Sequence, residues 1–192
     1  MTRSRDLAGA ARLGFHHPAV RELAWLNLAG GSAVLLSYAW GFLARPEAVG
    51  ALWGGVPEAA RPLYTLNMFL AAGGYFLFTP FVLFRLPPDA TRLTGGYGYG
   101  VFRRLYALVL LPSAAWMPLT FLVVEGWPIF WLVRLTLAAV AFGSLGLLAA
   151  LLALREPRAP GRALAVAGLV PFCVQTAVLD ALVWPAFFGP AS

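Results

Sequence analysis

Five apolar stretches, at residues 23–44, 62–84, 105–124, 127–154 and 163–188, leave this chain few folds to choose from. At about 1.5 Å rise per residue, each is long enough as a helix to cross a hydrocarbon layer of about 30 Å. The first is longer than the apolar core of a secretory leader, about 7–15 residues, and has no small-residue cleavage site after it. Only 11% of the 192 residues are charged and 60% are hydrophobic, where a soluble domain carries about 25% charge. The chain is therefore expected to be all-α, an integral membrane bundle of five transmembrane helices. A basic interfacial segment, 1–21, precedes the helical domain, 22–188. The lipid bilayer is its expected partner, in a bacterial cell membrane or an organelle membrane.

The positive charge is carried by arginine alone, and the absence of lysine excludes Schiff-base chemistry. If the N-terminus starts inside, eleven arginines, from Arg3 to Arg162, fall on that side. The other side receives only Arg45, Arg61 and Arg134. This asymmetry predicts the N-terminus inside and the C-terminus outside. Topology accounts for the basic excess, so nucleic acid is not an expected partner. The single cysteine, Cys173, excludes an internal disulfide and reads as a small apolar filler. His16 and His17 are adjacent but lack a carboxylate or thiolate cluster, so no metal site is expected. The 85–104 connection interleaves Gly95, Gly96, Gly98 and Gly100 with Tyr97 and Tyr99. It lacks the preceding strand and the Gly-Lys-Ser/Thr of a phosphate loop, and reads as a flexible connector.

Within the last stretch lies an acid, Asp180. A carboxylate at membrane depth costs about 2.5–3.5 kcal/mol on insertion scales and turns towards a partner or a wet cavity. Gln175 or Thr176 lies about one turn before it and Trp184 one turn after, on or beside one helical face. Counted from the helix ends, Tyr38, Asn67, Thr120, Arg134 and Asp180 fall in one slab, roughly 6–12 Å below the outer surface. The same side carries the 45–61 loop, with Pro46, Trp53, Gly54, Gly55 and Pro57. That loop is either an ordinary connection with an interfacial tryptophan or a lid over a pocket. Five polar residues at matched depth predict a shared cavity. Asp180 is expected to pair there with Arg134, or with hydroxyl and amide groups of the second and third helices.

Several of these residues form patterns that resemble a known family. Leu105-Tyr106, followed by Ser113 through Trp116 to Phe121, is similar to the third-helix pattern of the tryptophan-rich sensory protein, or translocator protein, family. Gly126-Trp127 falls where many members have Gly-Trp before the fourth helix. Gln175-Thr176, Asp180 and Trp184 resemble the closing Thr-x-x-Asn-x-x-x-Trp pattern. Arg45-Pro46 with Trp53 and Pro57 is similar to the first-loop signature. The chain departs from the family in having one tryptophan rather than two in the third helix, and Asp180 where Asn is usual. The resemblance implies a five-helix bundle, often a homodimer, whose pocket beneath the first loop binds porphyrins, other tetrapyrroles or drug-like lipophiles. It would place Trp53, Trp116, Asp180 and Trp184 in that pocket; depth alone adds Tyr64, Asn67, Thr120 and Arg134.

The expected function is a membrane-embedded binding protein for a flat hydrophobic ligand, sensor or transporter-like, with no required cofactor and no catalytic residue. Two other classes compete. One is a membrane enzyme acting on a lipophilic substrate through a buried carboxylate as general acid or base, for which Asp180 and Glu125 are the candidates. The other is a structural subunit of a membrane complex, joined through small-residue faces at Gly30-Gly31 and at Gly143 and Gly146.

Overall fold

Helix α1 (Pro18–Ala44) begins with proline in its first turn, where the missing N–H costs nothing, and His17 caps it by accepting the Ala19 N–H at 3.1 Å. The structure, a computed structural model, describes residues 17–188. Most of the expected interfacial segment, 1–16, lies outside the described residues. A 3₁₀ turn (Pro46–Trp53) and a shorter one (Glu58–Ala60) lead into α2 (Arg61–Arg85). Then come α3 (Gly100–Val124), α4 (Phe130–Leu152) and α5 (Arg162–Phe187). All five are long and apolar enough to cross a membrane. Each also turns large apolar side chains outward, among them Leu43 (82% exposed), Phe76 (75%), Leu111, Phe142 and Leu182. Surface of that kind would drive aggregation in water and is at home in lipid. The chain is a multi-pass membrane protein.

The bundle is a ring with a seam. Helix α1 packs on α3, α3 on α4, α4 on α5 and α5 on α2, while α1 and α2 barely meet. One side-chain hydrogen bond spans the seam near its far end, from the Tyr75 hydroxyl to Asn27 Oδ1. The tightest crossing joins α2 to α5, where a Cβ on Gly74 would stand 2.0 Å from the Gly168 carbonyl oxygen. Small residues let backbones approach this closely. The faces expected to join a larger complex are largely used within the bundle. A Cβ on Gly30 would meet Leu110, and Cβ atoms on Gly143 and Gly146 would meet Val109 and Leu105 of α3. Of the four glycines, only Gly31 looks into open space.

The glycine-rich connection is not the flexible linker its composition suggests. Arg92–Leu93 (β1) pairs antiparallel with Leu154–Glu156 (β2), Arg92 opposite Glu156 and Leu93 opposite Leu154. Gly95 and Gly96, at φ 86° and 81°, supply the left-handed turn that brings the Tyr97 carbonyl onto the Leu93 N–H at 2.9 Å. Leu86, Leu93 and Tyr99 are buried in the larger apolar core. Burial of those side chains, and not the glycine count, decides the conformation. A second, smaller core lies beneath the 45–61 loop and is built around Val56, Tyr64, Val133, Leu137, Trp184 and Phe188.

Candidate functional site

Helix α5 changes its winding where the acid sits. It is α-helical over Arg162–Cys173, π-helical over Val174–Val183, and α-helical again over Trp184–Phe187. Pro171 and Pro185, neither able to donate a backbone hydrogen bond, lie on either side of the wide segment. Wide turns pair residues i and i+5 and recur at functional sites. In an α-helix, at about 100° per residue, Gln175 and Asp180 would point some 140° apart. Here the Gln175 side-chain Nε2 donates to Asp180 Oδ1 at 2.8 Å. Thr176 instead donates to Ser144 Oγ at 2.6 Å, fastening α5 to α4.

The amide line continues to α2. Asn67 Nδ2 donates to Gln175 Oε1 at 3.0 Å and to the Pro171 carbonyl at 3.2 Å. Tyr64, one turn before Asn67, donates its hydroxyl to the Leu179 carbonyl at 3.2 Å. Asp180 also lies close enough to the Tyr64 and Tyr38 hydroxyls to act on both electrostatically. Asn67, Gln175 and Asp180 thus form one directed polar line across the α2–α5 contact.

On the loop side aromatic rings pack against one another. Trp116 stacks on Tyr38 at 5.9 Å and meets Trp184 edge-on at 5.8 Å. Trp184 stacks on Phe188 at 4.3 Å, and Phe130 approaches both. The loop is tied down at several points. Trp184 Nε1 donates to the Leu52 carbonyl at 2.8 Å, and the Gly55 N–H to the Phe187 carbonyl at 2.8 Å. Trp53 sets its edge on Tyr64, with the Arg61 guanidinium over its ring at 5.6 Å. An Arg45–Glu125 ion pair joins the start of the loop to the end of α3.

Of the residues singled out from sequence, the structure brings together Trp53, Tyr64, Asn67, Trp116, Asp180 and Trp184. Thr120 is buried beside them, but its hydroxyl turns back to the Trp116 carbonyl of its own helix at 2.8 Å. Arg134 is exposed, and no Arg134–Asp180 ion pair forms among the described residues. In place of the expected salt bridge, the amide line gives the acid one donor, to Oδ1, without burying a second charge. Glu125, the other acid considered for chemistry, is on the surface with Arg45. Tyr38 and Phe188 complete the cluster; Tyr38 shares its depth, whereas Phe188 lies at the end of an apolar run with no signal to separate it.

One group at the site is left open. The Trp116 indole N–H is buried without a hydrogen-bond partner, a deficit of about 1–3 kcal/mol in a native fold. Tyr38, Asn67, Trp116 and Asp180 are each partly buried. Two surface concavities lie elsewhere, towards the opposite end of the bundle. One, of about 340 Å³, is lined by Gly96–Gly98, Gly100, Val101, Arg103 and Arg104; the other, of about 270 Å³, by Arg21, Ala24, Trp25 and Leu28. Compared with protein-family models, curated proteins and solved structures, the chain matches none.

Proposed function

We propose that this protein binds a flat, hydrophobic ligand, a tetrapyrrole or a lipophile of similar shape, beneath the 45–61 loop, as a sensor or transporter-like receptor. The observation that carries the reading is the unpaired Trp116 N–H, set among stacked rings beside the Asn67–Gln175–Asp180 line. Ring faces suit a flat lipophile, and a few fixed polar groups orient it. A ligand acceptor atom would complete the indole's hydrogen bonding. The resemblance to tryptophan-rich sensory proteins supports the same ligand class. Entry between α1 and α2 fits a ligand that arrives from the bilayer, because those two helices barely meet.

Titrating the detergent-purified protein with uncharged protoporphyrin dimethyl ester should give saturable quenching of tryptophan fluorescence, with a dissociation constant in the micromolar range. Trp116→Phe and Asp180→Ala should each weaken it by about tenfold, the loss of one oriented polar contact. Non-saturating titrations, or superimposable curves for the three proteins, would remove the proposal. A catalytic reading has less behind it, since Asp180 is the sole acid in the cluster and Glu125 is engaged at the surface.

The loop is proposed to face outward, as the arginine asymmetry requires. In a Cys173→Ser background, a membrane-impermeant thiol reagent applied to intact cells should label Ala48→Cys and spare Thr94→Cys. The reverse pattern would invert the orientation.

A further inference from the structure

Resting on that reading of the site, we infer that the ligand is a lipophilic cation, its positive charge seated against Asp180. Every hydrogen bond along the amide line runs one way. Asn67 donates to Gln175 and Gln175 donates to Asp180, so the carboxylate is left to present acceptor capacity to whatever adjoins it. No cation of the protein uses that capacity among the described residues. The chain has no lysine, and each arginine at this end of the bundle is placed elsewhere. Arg45 pairs with Glu125; Arg61 pairs with Glu58, donates to the Val56 carbonyl and covers Trp53; Arg134 is exposed.

The surroundings favour positive charge as well. Asp180 acts electrostatically on Tyr38 and Tyr64, Tyr38 stacks on Trp116, and Trp116 meets Trp184 edge-on; ring faces attract a cation, most strongly where water is excluded. A carboxylate at this depth repels an anionic centre and offers a neutral ligand one acceptor. It pairs with an ammonium, phosphonium or pyridinium centre without needing a particular hydrogen-bond geometry. The seam beside α1 admits such a molecule sideways, with its apolar body still in lipid.

The test compares two probes of nearly equal size and shape and opposite charge, tetraphenylphosphonium and tetraphenylborate, with protoporphyrin dimethyl ester as the flat uncharged probe. Binding is measured by calorimetry and tryptophan fluorescence in an uncharged maltoside detergent. The wild-type protein should hold the phosphonium about tenfold or more tighter than the borate. In Asp180→Asn that ratio should fall to about one, and in Asp180→Glu it should persist. Because a ratio is read, a general loss of affinity does not imitate the effect. A wild-type ratio near one, with the ester still bound, overturns the cation inference and leaves the pocket standing. Retention of the preference in Asp180→Asn overturns it equally. If none of the three probes saturates, the pocket itself falls, and the inference with it. Should Asp180→Asn fail to fold, the wild-type and Asp180→Glu ratios decide alone.

Discussion

Leucine in place of Gly74 is expected to lower the melting temperature of the purified protein by roughly 6–12 °C, while leucine in place of its neighbour Gly73 leaves it nearly unchanged. The two positions share a helix, a residue type and a membrane depth, and differ in what faces them. A Cβ on Gly74 would lie 2.0 Å from the Gly168 carbonyl oxygen, whereas one on Gly73 meets nothing within 4 Å. The obstacle at Gly74 is backbone, which cannot rotate away as a side chain does, so α2 and α5 must separate. Overpacking of this kind costs about 3 kcal/mol at the upper end of its usual range, and each 1 kcal/mol shifts the midpoint of a chain this size by about 2–4 °C. Separation would also stretch the Asn67–Gln175 and Tyr64–Leu179 hydrogen bonds, which cross the same contact. Equal shifts at the two glycines would show that the α2–α5 crossing does not limit what these positions accept.

Removal of Trp184 should have the next largest effect, with two separable parts. Its ring stacks on Phe188, touches Trp116 and is 5% exposed. Truncation to alanine therefore costs about 3–5 kcal/mol in lost burial and cavity. Its indole N–H also holds the Leu52 carbonyl, one of the ties between the loop and α5. Trp184→Phe keeps most of the ring and loses only that tie, at about 1 kcal/mol. Limited proteolysis separates the parts: cleavage within 45–57 should accelerate in both variants, and the large fall in melting temperature should appear only in Trp184→Ala. Protection of the loop in both variants would mean that the Gly55 and Arg45 contacts suffice to hold it.

How far these features could be read from the sequence depends on the range of the interaction. Five spans were legible because length and apolarity are local properties, and the bilayer thickness sets the length required. The shared level of Tyr38, Asn67 and Asp180 was legible in outline, since residue counts give depth once helices are assumed to be straight, whereas Trp116 and Trp184 were picked out by the family resemblance. Bonding partners were not. Depth and charge match Asp180 to Arg134, but depth says nothing of direction around the helix axis, and Arg134 faces outward. The Gln175–Asp180 bond needs i, i+5 spacing, which an α-helical reading cannot supply. Nor can composition say whether a glycine faces lipid or a neighbour: Gly30 and Gly31 are adjacent, and one meets Leu110 while the other is open. The 85–104 connection hides its order for the same reason, because that order comes from β2, about sixty residues later.

The seam also bears on how the bundle is made. Helices α1 and α2 leave the ribosome in succession, yet they form almost no interface with one another. The nascent chain cannot lay them down as a finished hairpin. Helix α1 has no packing partner until α3 is synthesised, and α2 waits for α5, which begins at Arg162. From its end at Arg85 until α5 begins at Arg162, α2 therefore lies in lipid without the helix it packs on. Of the five helices α5 is the last in sequence, so the polar line that crosses the α2–α5 contact cannot form before it is made.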